Sequence, residues 1–239
     1  MKPKSTPGGQ KDNSENEHKE PILPDAAVIK QCIYGHDTDR LRRCLQEVAD
    51  PQKEEIHELL NLRDSTGKSS LDLIASLGRT DLASLVIQSG ADVNSCTSKG
   101  YSCLHHAAAW GHLPILKILL DNGVNLHQLN IHGETARDVA LRYLQQECAD
   151  FLEIAEVKEK FQLEITHALK SVQEMDKALI GRITRDEKNR VINTCKGKQE
   201  WLNSTLDASA QDIQMQYSEL TEIVQPILAA LQEPLPEKT

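Results

Sequence analysis

A step of 33 residues constrains this chain more than any other feature of it. Gly67, Gly100 and Gly133 stand at that interval, as do Leu71 and Leu104, Ala75 and Ala108, Gly78 and Gly111, Leu85 and Ile118, Gly90 and Gly123, and the series Asn61, Asn94 and His127. Such a period over about three copies marks a stacked array, in which no unit buries its own apolar face and each is stabilised by its neighbours. Asp64-Ser-Thr-Gly67 and Thr97-Ser-Lys-Gly100 are turn sequences and predict hairpin tips. Leu104, Ala107, Ala108, then Ile115, Ile118 and Leu119 recur at three- and four-residue steps, and Gly111 and Gly123 suit the left-handed position past a helix end. Two short helices per unit follow.

The stretch Gly100 to Val124, GYSCLHHAAAWGHLPILKILLDNGV, resembles the ankyrin repeat, whose TPLHxA signature stands here as Ser102 to Ala107. The resemblance implies a short all-α ankyrin-repeat solenoid over residues 25–147. Its units are a degenerate first one at about 25–60, two clear ones at 64–96 and 97–129, and a capping unit at 130–147. In the first unit Gly35 takes the place of Gly78 and Gly111, with about one added residue before Leu41 and a long segment from Gln46 to Leu60. Asp72 stands where His105 stands. Arg137 and Asp138 take the positions of Leu104 and His105, and a charged residue in a stacking position marks an outer cap.

Residues 1–24, rich in Pro, Gly, Ser and charge, are expected to be disordered, as are residues 233–239. From about residue 148 the period shortens to seven. Ile154, Phe161, Ala168 and Met175 form one series, and Ile165, Val172 and Leu179 another, which predicts a long amphipathic helix stopping near Gly181. Thr184-Arg-Asp-Glu187 reads as a capping box opening a second helix with Val191, Ile192, Cys195 and Leu202, and Ile213, Tyr217, Leu220, Val224, Ile227 and Leu231 stripe a third. An antiparallel bundle over 148–232 follows. Leu179 to Leu228 is also similar to the C-terminal helical lid of the seventy-kilodalton heat-shock (DnaK-like) chaperones, through Gly181, Ile183, Lys188, Val191, Cys195, Trp201, Leu202, Glu219, Leu220, Pro226 and Ile227. That resemblance implies a lid carried without the ATPase and peptide-binding domains it covers, and makes Trp201 a bundle residue.

Lys and Arg number 27 against 36 Asp and Glu, a formal charge of −9, which argues against a nucleic-acid or anionic-membrane surface. No apolar run approaches the roughly 18 residues that span a bilayer, and Met1 is followed by polar sequence without a signal-peptide core, so the expected compartment is the cytoplasm, with nucleus or cytoskeleton as alternatives. The six cysteines show no CxxC pair and read as reduced packing residues. Cys103, His105, His106 and His112 lie close in sequence, but the resemblance assigns His105 and His112 to hydrogen bonds with neighbouring backbone, and Cys103 to a buried small-residue position. No P-loop, dinucleotide-binding motif or HExxH is present, so no catalytic, metal or cofactor residue is assigned.

Contact with other proteins is the remaining role. Trp110 lies four residues after His106, on a helix face away from Leu104 and Ala108 where ankyrin families present variable contact residues; packing beneath the next repeat is the competing role. The candidate contact residues are Lys99, Tyr101, His106, Trp110, His132, Glu134 and Tyr143. The expected function is a non-enzymatic scaffold or adaptor using the concave face and hairpin tips. The alternative is a chaperone-linked regulator whose lid-like bundle contacts a chaperone or its client.

Overall fold

In a computed structural model of the protein, residues 25–46, 53–178, 184–205 and 207–232 are described. The expected tails, Leu179 and the stop near Gly181 lie outside them. Eleven helices are found among the described residues: α1 Ala26–Gly35, α2 Thr38–Gln46, α3 Lys53–Asn61, α4 Ser70–Leu77, α5 Thr80–Gln88, α6 Cys103–Ala109, α7 Leu113–Asp121, α8 Ala136–Arg142, α9 Gln146–Ala178, α10 Arg185–Ser204 and α11 Ala210–Gln232. The class is all-α, as the 33-residue and seven-residue periods predict. Extended pairing among the described residues is limited to one bridge between Cys96 and Ser102 at the foot of a hairpin.

Helices α4, α6 and α8 start alike, each at a small hydroxyl residue 33 positions after the last. The amides of Ser69 and Thr135 donate to Asp72 and Asp138 (both 2.9 Å), and the Ser102 amide donates to Nδ1 of His105 (3.2 Å). Such reciprocal caps satisfy backbone groups that a helix start otherwise leaves open. The inner helices then end at left-handed residues. A Cβ on Gly78 (φ 68°) would meet the His112 ring at 2.7 Å, and one on Gly111 (φ 74°) would meet the Gln145 amide at 2.3 Å. At Gly78 glycine also lets the His112 ring of the following unit approach closely, whereas at Gly111 the neighbour is the end of a flexible glutamine and the backbone angle is what favours glycine.

The first unit departs from the expectation. Its left-handed residue is His36 (φ 54°), and Gly35 is the last residue of α1. The His36 ring lies between Asp81 (2.9 Å) and Arg79 (3.1 Å) of the next unit, contacts that help offset the strained backbone. The sequence pattern also left the segment after Gln46 without an element, whereas α3 forms there and buries Ile56 and Leu60 in the core of the array. The three- and four-residue spacing of Ile56, Leu59 and Leu60 carries that signal.

Two apolar cores result. The first gathers α1 to α8, with Ile29, Ile33, Leu41, Leu71, Ile74, Leu82, Leu104, Ile115 and Leu119 among its buried members. The second gathers Phe161, Ile165, Ala168 and Val172 of α9, Val191 and Cys195 of α10, and Ile213, Leu220 and Val224 of α11. Helix α9 belongs to both, because its first turns bury Cys148, Ala149 and Leu152 in the array. The change of period near residue 148 therefore falls inside a continuous helix. Thr184 and Glu187 cap α10 as the motif predicts, the Thr184 amide donating to the carboxylate at 2.7 Å. Trp201 packs partly buried against the second core.

Leu144 occupies the position of Gly78 and Gly111 one unit on, with φ 60° and 89% of its surface exposed. A side chain in the left-handed region costs about 1 to 2 kcal/mol, and little apolar burial compensates here. Leu144→Gly is therefore expected to stabilise the array by about 1 kcal/mol, to be checked by urea denaturation followed by circular dichroism. A loss of stability would show that the leucine is held by contacts worth more than the strain.

Candidate functional site

A cleft of about 350 Å³ runs between α6 and α8, lined by Tyr101, His105, His106, Ala109, Trp110, Val139, Tyr143 and Gln145. Trp110 and Tyr143 are the C-cap residues of α6 and α8 and repeat one position of successive units. They follow Leu77, which ends α4, so three apolar side chains form a row one repeat apart. Trp110 is 63% and Tyr143 52% exposed. Each precedes a left-handed turn whose backbone sharply redirects the chain, which carries the side chain out beyond the packed helix.

The floor of the cleft is polar and rigid. Tyr101 stacks on His106 with ring centroids 6.1 Å apart and planes inclined by 26°, and meets His105 edge-on at 5.6 Å. His105 is buried. Its Nδ1 accepts from the Ser102 amide, so its Nε2 carries the hydrogen donated to the Glu134 carbonyl at 3.2 Å. Burial lowers its proton affinity, which the bond to Glu134 only partly restores. His112 likewise donates from Nε2 to the Ser76 carbonyl of the preceding unit at 3.2 Å. Both histidines thus make the cross-unit backbone bonds that the resemblance implies.

His106 is half-buried, and its Nε2 is shut from solvent with no hydrogen-bond partner among the described residues. Burial, then the charge of Lys68, the neighbouring His105 ring and the charge of Arg63, push its pKa down to about 4. It is a neutral platform beneath Tyr101 at neutral pH.

The remaining candidates are not gathered around this cleft. Glu134 is held within the fold: its carboxylate takes Arg142 at 2.8 and 3.1 Å and the Asn130 amide at 2.8 Å, and the Asn130 bond, followed by the Arg142 charge, keeps its pKa low. His132 is exposed on the hairpin tip, its amide donating to Asn130 at 2.8 Å. Lys99 is exposed on the neighbouring tip, where its carbonyl accepts from Ile131 at 3.0 Å. It lines a second, smaller pocket that shares Tyr101 and His106 with the cleft. The sequence reading passed over Val139, Ala109, Gln145 and Arg142. The register carries a signal for two of them, since Val139 is His106 one unit on and Gln145 is His112 one unit on. Arg142 lies over the Tyr143 ring, 4.8 Å from its centroid.

Among the described residues no three His, Cys, Asp or Glu side chains converge in a way that could hold a metal ion. Burial pushes the Cys103 thiol above the usual cysteine range, and its Sγ donates to the Val93 carbonyl at 3.3 Å, as suits a packing residue. Among the described residues no helix is long and apolar enough to cross a membrane.

The His106 environment generates a pH prediction. Its pKa lies near 4 in the folded chain against an ordinary 6.5, so the unfolded chain binds more protons between those values. Stability contributed by neutral His106 is complete above about pH 6.5 and is lost as pH falls toward 4. Urea midpoints measured from pH 7 to pH 4.5 should fall less for His106→Phe than for the unaltered chain. Equal slopes would show that the imidazole is not desolvated.

Residues 71–160 match the family described as ankyrin repeats (3 copies). The chain is 38% identical over 135 residues to ankyrin repeat domain-containing protein 45 of Danio rerio, a match covering 56% of this chain and 60% of that protein. To the Homo sapiens protein of the same name it is 31% identical over 216 residues, 90% of this chain and 80% of the other, so the likeness runs into the helical bundle. Protein phosphatase 1 regulatory subunit 12A of Mus musculus is 39% identical over 85 residues, 34% of this chain and 8% of that protein. Ankyrin repeats are a protein-interaction architecture, and their helix caps, cross-unit histidines and glycine turns are all present here. With likeness to the human relative extending over nine-tenths of its length, the chain belongs to the ankyrin repeat family, and within it to the group of ankyrin repeat domain-containing protein 45.

Proposed function

We propose that this protein is a non-enzymatic scaffold or adaptor that holds a partner protein in the cleft between α6 and α8, with Trp110 and Tyr143 as anchors and Tyr101 on His106 as the floor. The observation that carries this reading is the exposure of two large aromatic side chains at one repeating position, flanking a preformed concavity. Interface energy concentrates in aromatic residues of this kind, set in pockets that exclude water. The rigid floor limits the ordering cost of binding, because His105 and the Glu134–Arg142 pair already fix the hairpins. One repeat-bearing relative is by name a regulatory subunit, which is consistent with repeats of this type working in an assembly. On this reading the site of action is the cytoplasm, and the bundle is a rigid extension of the array through α9.

A chaperone-linked role is the second reading. Exposed Leu163 on α9 and Met215 on α11 favour it, because they offer apolar surface on the bundle itself. The two readings separate by substitution in the full chain. Partners identified by proximity labelling should be lost with Trp110→Ala on the first reading, and with Leu163→Ser plus Met215→Ser on the second. Trp110→Ala should change the melting temperature little, because exposed substitutions typically fall within about 0.5 kcal/mol, yet weaken binding by about 2 kcal/mol or more, roughly thirtyfold. Leu104→Ala should instead destabilise the fold by about 2 to 5 kcal/mol. If Trp110→Ala unfolds the array as severely as Leu104→Ala does, the tryptophan is a fold residue and the first reading fails.

A further inference from the structure

The smaller pocket beside the cleft has a chemistry of its own. It lies between two successive hairpins and has a volume of about 160 Å³, with Thr66 and Lys68 on one side and Thr97, Ser98 and Lys99 on the other, and it meets the cleft at Tyr101 and His106. Two lysines therefore line a hollow shared with the hydroxyl-bearing residues Thr66, Thr97, Ser98 and Tyr101 and with His106. Lys68 reaches only the Ser76 hydroxyl, at 3.4 Å, and Lys99 has no carboxylate partner among the described residues. The nearby acids are already engaged. Asp64 accepts from the Thr66 amide (2.8 Å), the Thr66 hydroxyl (2.6 Å) and the Lys68 amide (3.0 Å), and Asp72 pairs with Arg63 at 3.1 Å. Thr97 Oγ1 accepts from the Tyr101 amide at 3.0 Å, so its own hydrogen is free to be donated inward. The Lys68 and Arg63 charges add to burial, the larger cause, in lowering the proton affinity of His106 at the pocket wall.

We infer that this pocket receives a phosphorylated serine or threonine of the partner whose apolar side chain enters the adjoining cleft. The inference rests on the cleft being the partner-binding site and supplies the partner's chemistry. A dianion matches two lysines without a carboxylate partner among the described residues, whereas a cationic side chain would be repelled by them. The donors also favour phosphate over carboxylate. The lysine ammoniums, each with three rotatable N–H donors, and the Thr97 hydroxyl can be arranged around a tetrahedral group, while Arg63 and Arg142, whose planar forks suit a carboxylate, are already paired with Asp72 and Glu134.

The test uses the full chain and an immobilised library of degenerate peptides in three matched arms: phosphoserine or phosphothreonine at the fixed position, the unphosphorylated residue there, and glutamate there. Retention of the phosphorylated arm should exceed that of both others by about tenfold or more, the scale of one charge-assisted hydrogen bond. The advantage should vanish in Lys68→Met plus Lys99→Met, with an unchanged melting temperature showing that the variant folds. Equal retention of the glutamate arm, retention indifferent to the two lysines, or no retained phosphopeptide would each overturn the assignment. Peptides retained equally in all arms but lost with Trp110→Ala would leave the cleft as the binding site while sinking the phosphate pocket.

Discussion

His105 touches two repeat units at once, and the array depends on contacts of that kind. One nitrogen accepts the amide that opens its own helix, and the other donates to the Glu134 carbonyl in the next hairpin. The side chain is buried and its proton affinity lowered, so the neutral ring with a single tautomer is the form the fold selects. The same forward and backward reach recurs elsewhere. His112 donates to Ser76, Asn61 accepts from the Asp92 amide at 2.8 Å, and Asn94 accepts from the Asn125 amide at 2.7 Å. Each bond satisfies a backbone group of one unit with a side chain of another. Together with shared burial at Leu71, Leu104 and Ala107, this makes stability a property of neighbours rather than of single units.

A stack of this kind must end, and both ends show how. At the first unit the left-handed turn lacks its glycine, and His36 takes the strain while its ring binds the next unit through Asp81 and Arg79. At the last unit the side chains that would reach a further repeat reach α9 instead. His127, at the position of Asn61 and Asn94, pairs with Glu159 at 2.9 Å, and Arg137 pairs with Glu153 at 2.7 Å and lies 3.6 Å from Glu156. The charged residue read as facing outward from a cap is thus a tether to a long helix. Because α9 then supplies Phe161, Ile165 and Val172 to the second core, the element that ends the array also begins the bundle.

The same architecture explains why the cleft is preformed. Its floor is made of groups that hold the repeats together, so this surface is already ordered by folding. Its rim is made of Trp110 and Tyr143, which repeat packing leaves exposed because they sit just past the helix ends. Anchoring side chains at a repeating position on a rigid frame can diverge without disturbing the core. That physical separation lets one repeat fold serve unrelated partners.

Much of this was legible in the sequence. The 33-residue step determined the helix pairs, the glycine turns and the apolar core, because each is set by local backbone chemistry or by a repeated burial pattern. It also placed Tyr101, His106, Trp110 and Tyr143 at positions that turn out to line one cleft. Other features depended on partners distant in the chain and were decided only by the tertiary structure. Glu134 looked available until Arg142 and Asn130 closed on it, and the partial burial that keeps His106 a neutral ring in the cleft floor is set by its neighbours. Lys68 and Lys99 are 31 positions apart in sequence, yet two hairpins bring them to one pocket. Periodicity says which residue types recur and on which face, but pairing, desolvation and the shape of a concavity arise only when separate units are packed side by side.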